Sequence, residues 1–349
     1  MLAQVTKTCL DEAAKTDSDT DEQGLKYLNN VVTILSSIED KDRYLYYLSF
    51  ILSTRLLDKD LSALKSMEWE KQLIHVIKSK LGSEFSKNLE AMVNDVETCH
   101  SRKFEIGEKF KKFSNENLIK DFHVNVLTNC EWMLPSPLEL TPPANMQMIQ
   151  RIYEEIFTND PTNSNKRLEW NYNLGLIECT FRIKDSIIIT ECKPYQYMVL
   201  QLFNSRDVLS HNDIKQELNL NDYKALGLIM DSLVASPGVL IRNDDGNYTI
   251  NRDIKIKRRY KLKEAKFEDK SKIKNQVDNE RSTAIQCCIV RIMKSNKVMD
   301  YTEVCRVTER LLLKFSPTSK AIRKEIDDLI KKENLERDPE NFNRLRYIA

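Results

Sequence analysis

Ile322-Arg323-Lys324-Glu325-Ile326-Asp327-Asp328-Leu329-Ile330, then Asn334-Leu335-Glu336, Asp338-Pro339-Glu340-Asn341 and Arg344-Leu345-Arg346-Tyr347-Ile348, is the stretch that sets the fold class. Ile322, Ile326, Leu329 and Ile330 recur at three- and four-residue steps, which puts one apolar face on a helix. The turn at Asp338 to Asn341 then separates two short strand-like runs. Two more apolar stripes precede it: Ile285, Cys288, Ile289, Ile292 and Met293, then Val304, Val307, Leu311 and Leu312. Three helices and a hairpin make a winged-helix pattern. The same syntax occurs earlier. A helix over 195–203, another near Ile214 and a third with Leu226, Ile229, Met230 and Leu233 lead into Val239-Leu240-Ile241, the turn Asn243-Asp244-Asp245-Gly246 and Tyr248-Thr249-Ile250.

Upstream, residues 1–134 contain none of the nine prolines, which favours helices. Leu25, Leu28, Val32, Leu35 and Ile38 form one stripe. Tyr44, Leu45, Leu48, Leu52 and Leu56 form a second, with Asp40 as its candidate N-cap. Weaker stripes run through Leu73, Val76 and Ile77, and through Phe85, Leu89 and Met92. Such helices must pack on one another as a bundle. Past Phe122 the pattern changes. Val124, Val126 and Leu127 alternate with polar residues, four prolines from Pro135 to Pro143 mark a loop, and a short helix spans 149–157. Residues 166–171, 176–183 and 186–190 read as strands. The expected fold is mainly α with small β elements. It comprises a helical bundle (1–118), a mixed α/β unit (119–193), a first winged helix with a following basic strand (194–263), a charged linker (264–279) and a second winged helix (280–349).

Of 349 residues, 31% are charged and 41% hydrophobic, which supports sizeable cores and excludes a wholly disordered chain. Lys+Arg 54 against Asp+Glu 53 leaves a net charge of +1, so any basic surface must be local. Seven glycines include no phosphate-cradling loop. No apolar run approaches the ~18–20 residues of a membrane span, and no signal-peptide core follows Met1. Eight cysteines, at 9, 99, 130, 179, 192, 287, 288 and 305, lack CxxC spacing and read as reduced thiols of an intracellular protein. Cys99, His100, His123 and Cys130 lack zinc-ligand spacing, and no nucleophile signature surrounds any Cys or His. Neither a metal site nor catalysis is expected.

Two charged features remain. Lys255, Lys257, Arg258, Arg259, Lys261 and Lys263 put six basic residues within nine of an alternating run. It reads either as a solvated edge that resists strand pairing or as a landing site for an acidic partner. On the helix of Ile285 and Met293, a step of about 100° per residue turns Lys294 away from the Ile285 direction, toward solvent. Arg291 also lies on the polar side. A winged helix raises the alternative of nucleic-acid binding. Against it, Lys320, Arg323 and Lys324 are followed directly by Glu325, Asp327 and Asp328, and net neutrality disfavours a large phosphate footprint.

Ile289-Val290-Arg291-Ile292-Met293-Lys294, followed by an amphipathic helix, a basic third helix and the end Arg346-Tyr347-Ile348-Ala349, resembles the C-terminal winged helix of cullins. Ile38-Glu39-Asp40-Lys41-Asp42 running to Arg55-Leu56-Leu57 is similar to the helix that opens that family's C-terminal bundle. Leu81-Gly82-Ser83-Glu84-Phe85, with Leu89, Glu90, Ala91, Met92 and Asp95, resembles the next signature. Leu134-Pro135 and Arg167-Leu168-Glu169-Trp170 fall where the family places its α/β segment. Cys287-Cys288 replaces a small pair, and Val93 stands where an aromatic residue is usual. The likeness covers the C-terminal half of a cullin. The helical-repeat stalk that binds adaptors has no expected counterpart, and the beginning at Met1 reads as that of an excised fragment. A fungal SCF-type cullin is one reading.

The resemblance implies a non-catalytic scaffold of a ubiquitin ligase, acting in cytoplasm and nucleus in cell-cycle control and protein degradation. It implies that Lys294 receives a ubiquitin-like modifier through an isopeptide bond, with Arg291 docking the modifying enzyme. Lys297 and Lys314 are equal candidates on exposure, and the family hexapeptide selects Lys294. A RING-box protein is the implied partner, adding a strand to the α/β sheet. Val124, Val126, Leu168 and Trp170, within 124–127 and 168–189, are the expected docking region. The basic run from Lys255 to Lys263 is expected to attract the acidic tail of a ubiquitin-conjugating enzyme. No cofactor is expected in this chain, and zinc belongs to the RING partner. Substrate adaptors are expected to bind through the absent half, and no membrane role is expected.

Overall fold

The computed structural model describes residues 2–13, 22–58, 67–113, 122–129, 132–183, 186–235, 237–254, 259–265, 267 and 270–348. In chain order it opens with helices α1 (Leu2–Ala13), α2 (Glu22–Ser36), α3 (Lys41–Asp58), α4 (Glu68–Leu81), α5 (Ser83–Phe113) and α6 (Ala144–Thr158). Strands β1 (Ile177–Ile183) and β2 (Ser186–Cys192) follow, then α7 (Pro194–Leu202), β3 (Val208–Leu209), α8 (His211–Glu217) and α9 (Tyr223–Val234). Next come β4 (Leu240–Arg242), β5 (Tyr248–Ile250) and β6 (Arg259–Lys261). The last stretch holds α10 (Lys270–Asn296), β7 (Val298–Asp300), α11 (Tyr301–Leu311), α12 (Ser319–Lys331), β8 (Leu335–Arg337) and β9 (Arg344–Tyr347). Among the described residues no helix is long and apolar enough to cross a membrane. Two compact units result: Met1–Ser101 with Val124–Leu134 and Asp269–Ala349, and Arg102–His123 with Pro135–Glu268.

In the first unit the apolar stripes of α2 to α5 meet, burying Leu28, Leu35, Leu48, Leu52, Leu73, Ile77, Leu89 and Met92. Each such side chain contributes about 1.5–3 kcal/mol on burial, so the bundle follows from patterning. Helix α1 adds Ala3 and Leu10. Arg55 enters the same core because charge meets it there: its Nε and Nη2 donate to Glu70 at 3.0 and 2.9 Å, and Nη1 donates to Asp11. Residues 122–129 form no strand. Asp95 of α5 holds them instead, accepting from the Thr128 amide at 2.7 Å and from the indole of the buried Trp132 at 2.8 Å.

A second core in this unit joins α10 to α12 and gathers Ile285, Ile289, Met293, Val304, Ile322, Ile326, Leu329, Leu335 and Leu345. Its sheet has the order β7-β9-β8, antiparallel throughout, with the Thr318 hydroxyl capping α12 at the Ala321 amide. The expected linker over 264–279 is corrected. Helix α10 already runs from Lys270, because a charged, glycine-free stretch with good helix formers continues a helix as readily as it solvates one.

The second unit contains the other winged helix. Its sheet, β3-β5-β4, repeats the β7-β9-β8 order. Gly246 sits at φ +80 in the β4–β5 turn, a left-handed position that glycine adopts without steric cost. Strand β1 pairs antiparallel with β2 from Ile177↔Cys192 to Ile183↔Ser186, and β6 adds parallel to β2. Cys192, Tyr195, Met198, Leu226, Ile229, Leu240 and Leu262 lie in one core, so no core boundary falls between residues 193 and 194. Gln196 ties the parts together, donating to the Lys263 carbonyl at 2.7 Å and to the Ser232 hydroxyl at 2.9 Å. The expected strand at 166–171 is corrected to a segment without regular structure, outside any sheet. Trp170 anchors it through an indole N–H donated to Glu154 at 2.6 Å.

Candidate functional site

Helix α10 ends in the last turn that carries Lys294. Ile289, Ile292 and Met293 are buried on one side, whereas Arg291 and Lys294 are exposed. The ammonium of Lys294 has no hydrogen-bond or ion-pair partner among the described residues. Of its two rivals, Lys297 is engaged through its ammonium, whereas that of Lys314 also has no hydrogen-bond or ion-pair partner among the described residues. Lys297 sits at φ 64 with its ammonium 5.4 Å from the Tyr347 ring centroid, and its carbonyl accepts from the Tyr347 amide at 2.8 Å. Lys314 is exposed, and its carbonyl accepts from the Asp42 amide at 3.0 Å.

The middle of the same helix is clamped to the bundle. Arg281 donates from Nε to Asp42 at 2.5 Å, from Nη2 to Asp42 at 2.7 Å and from Nη2 to Asp40 at 2.8 Å. Its guanidinium carbon lies 4.9 Å from the Phe315 ring centroid. Burial, and then Asp42, push the neighbouring Glu280 carboxyl above its ordinary value. Sequence reasoning assigned Asp40 as a helix cap and missed Arg281. The signal was a pair of acids at one helix start, answered by one arginine 239 positions away, which no local pattern reports.

Several cations of the last winged helix are answered by carboxylates, whereas Lys320 and Arg323 of α12 are exposed with no ion-pair partner among the described residues. Arg337 pairs with Asp327 at 3.4 Å, Arg344 with Asp300 at 3.1 Å, Arg346 with Asp338 at 3.5 Å, and Lys331 with Asp328 at 3.0 Å. Glu325 is buried in α12 and accepts from the Gln286 amide. Cations already answered by carboxylates make a poor phosphate track.

The expected RING-docking residues do not share a strand. Val124 and Val126 belong to the first unit, where the Val126 amide donates to Cys99 Sγ at 3.2 Å. Leu168 and Trp170 belong to the second unit and lie in no sheet. The strand edge that sequence reasoning placed only broadly is β1, the outer strand in the order β1-β2-β6. Of the basic run, Lys255, Lys257 and Arg258 lie outside the described residues. Arg259 pairs with Glu178 at 3.3 Å, Lys261 approaches Glu264 at 3.8 Å, and Lys263 is exposed. Among the described residues no group of three His, Cys, Asp or Glu could hold a metal ion.

Family comparisons now bear on these elements. The model described as the cullin protein neddylation domain matches residues 280–341, the cullin alpha+beta domain matches 126–265, and the cullin alpha solenoid domain matches 1–102. The chain belongs to the cullin family. Cullin-1 of Oryza sativa subsp. japonica is 30% identical over 92% of this chain and 44% of its own length. Cullin-2 of Arabidopsis thaliana is 30% identical over the same shares, 92% and 44%. Cullin-4A of Mus musculus is 26% identical over 95% of this chain and 44% of its own length. The chain thus spans less than half the length of these curated cullins. The solenoid-domain match over 1–102 falls on the stretch that holds α1 to α4 and most of α5.

Proposed function

We propose that this chain is the scaffold of a cullin-RING ubiquitin ligase, holding a RING-box protein and accepting a ubiquitin-like modifier on Lys294. One observation carries the reading. Lys294 is an exposed, unpartnered ammonium at the end of a helix whose opposite face is locked into a core, within the neddylation-domain match. A lysine that attacks a thioester must reach it and shed its proton as the isopeptide bond forms and the thiol departs. Arg291, exposed one turn earlier, is positioned to steer the modifying enzyme. To the transfer of ubiquitin itself the chain contributes position and proximity, not reacting groups.

The outer edge of β1, without a strand neighbour among the described residues, suits strand addition by the RING-box protein, since such an edge offers main-chain donors and acceptors. Zinc is the partner's. The basic run ending at Lys263 suits the acidic tail of a conjugating enzyme, with Arg259 already partly answered by Glu178. Conjugation with the modifier's own activating and conjugating enzymes tests the main reading. Wild type and Lys297→Arg should be modified, and Lys294→Arg should not. Undiminished modification of Lys294→Arg overturns it. RING-box co-purification should fall for Thr180→Pro, and unchanged retention with the fold intact counts against the β1 edge.

A further inference from the structure

Across the β1–β2 hairpin two thiols face each other. Cys179 opposes Thr190, and Cys192 opposes Ile177, so both cysteines project from one face of the hairpin at diagonal positions. Their sulfurs are 3.7 Å apart. Cys192 is 2% exposed and sits at the last rung before α7, whereas Cys179 is half-buried on the outer strand. We propose that Cys179 and Cys192 form a peroxide-responsive dithiol, with Cys179 as the attacking sulfur and Cys192 as the resolving one.

The assignment of roles follows from the surroundings. Cys179 can be approached from solvent, and its thiol otherwise donates to the Thr190 carbonyl at 3.4 Å. A hydrogen bond from Cys192 favours the Cys179 thiolate and lowers its pKa, against burial and the Glu178 carboxylate. The Cys192 thiol is pushed far up by the same contact and by burial, so it stays protonated. A low-pKa, accessible thiol beside a resolving thiol is the arrangement that redox-sensing cysteines share. The Cys179 thiolate attacks one peroxide oxygen, the O–O bond breaks, and protonation yields Cys179 sulfenic acid and one water. The Cys192 sulfur then displaces the hydroxyl as a second water, and its proton leaves with it. Two thiols are oxidised by two electrons, and one peroxide is reduced to two waters. Diagonal cross-strand sites stand about 7–8 Å apart, so closing the gap to the ~2.05 Å of a disulfide needs a small backbone shift, which the position of Cys192 at the last rung of the ladder favours.

The test uses the full reduced chain and hydrogen peroxide, read by differential alkylation and peptide mass mapping. A cross-linked peptide pair containing Cys179 and Cys192, lighter by two hydrogens and restored by dithiothreitol, is the expected product. It should appear sooner than oxidation of the exposed Cys287, and should raise the Tm. In Cys192→Ser, Cys179 should be trapped by dimedone as a sulfenic acid. In Cys179→Ser, Cys192 should stay alkylatable only after unfolding. If both thiols of the wild type remain free after Cys287 is oxidised, or Cys179 links to another cysteine, the assignment is wrong. Mapping of the wild type decides the matter even where a variant fails to fold.

Discussion

Replacing Arg281 with methionine keeps the aliphatic stem and removes the charge that joins α10 to α3. Arg281 and Asp42 are 19% and 16% exposed, so their doubly bonded pair counts as a partly buried charged interaction of about 1.5–3 kcal/mol. Asp40, at 42% exposure, adds only about 0.2–1 kcal/mol. The guanidinium over Phe315 adds about 0.5–1 kcal/mol. These terms share one side chain and do not sum, so the expected local loss is about 2–4 kcal/mol. The reporter is the Asp42 amide, which donates to the Lys314 carbonyl at 3.0 Å across the same junction. Its hydrogen exchange should accelerate by roughly 30- to 900-fold, while exchange in the α4–α5 core stays unchanged. A double-mutant cycle with Asp42→Asn should show strong coupling. Acceleration below about threefold, or a coupling under about 0.5 kcal/mol, refutes the reasoning.

Gly238→Ala should cost about 1–3 kcal/mol and lower the Tm, because an added Cβ meets the Val234 carbonyl and lies 3.0 Å from the Leu240 carbonyl oxygen, both rigid backbone. Burial pushes the phenols of Tyr44 and Tyr195 up to about 12. The folded state therefore holds protons that the unfolded state loses from about pH 10, so stability declines between about pH 10 and 12; absorbance at 295 nm should show these two rings ionising last. Asp160 accepts from the Thr162 hydroxyl and amide and pairs with Arg102, which hold its carboxyl at about 2. Its contribution is complete above the ordinary value of 3.8 and is lost as pH falls through about 2, so an NMR titration of Asp160 should place the midpoint there.

What the sequence made legible was what repeats locally. Most of the three- and four-residue steps from Leu28 to Leu56 and from Ile285 to Leu329 lie on buried faces, and the same phase turned Lys294 outward, but Leu311 of the expected Val304 stripe is 42% exposed and α11 instead buries Val304 and Thr308. Side chains with distant partners escaped. Asp40 carries the signature of a cap, yet its carboxylate is drawn to Arg281. Leu168 and Trp170 have strand-like character, yet Trp170 is fixed by Glu154 from α6 rather than by a ladder. The charged stretch after Glu264 carries no apolar stripe, so the extension of α10 back to Lys270 left no mark in the periodicity. The Cys179–Cys192 approach depends on hairpin register, which composition does not report.

Helix α10 is 27 residues long and unbroken, a rod of about 40 Å. Arg281 grips it between its ends, leaving thirteen residues, about 20 Å of helix, to Lys294. It therefore behaves as a lever with its fulcrum at Arg281. A tilt of about 10° at the fulcrum would carry Lys294 by roughly 3–4 Å.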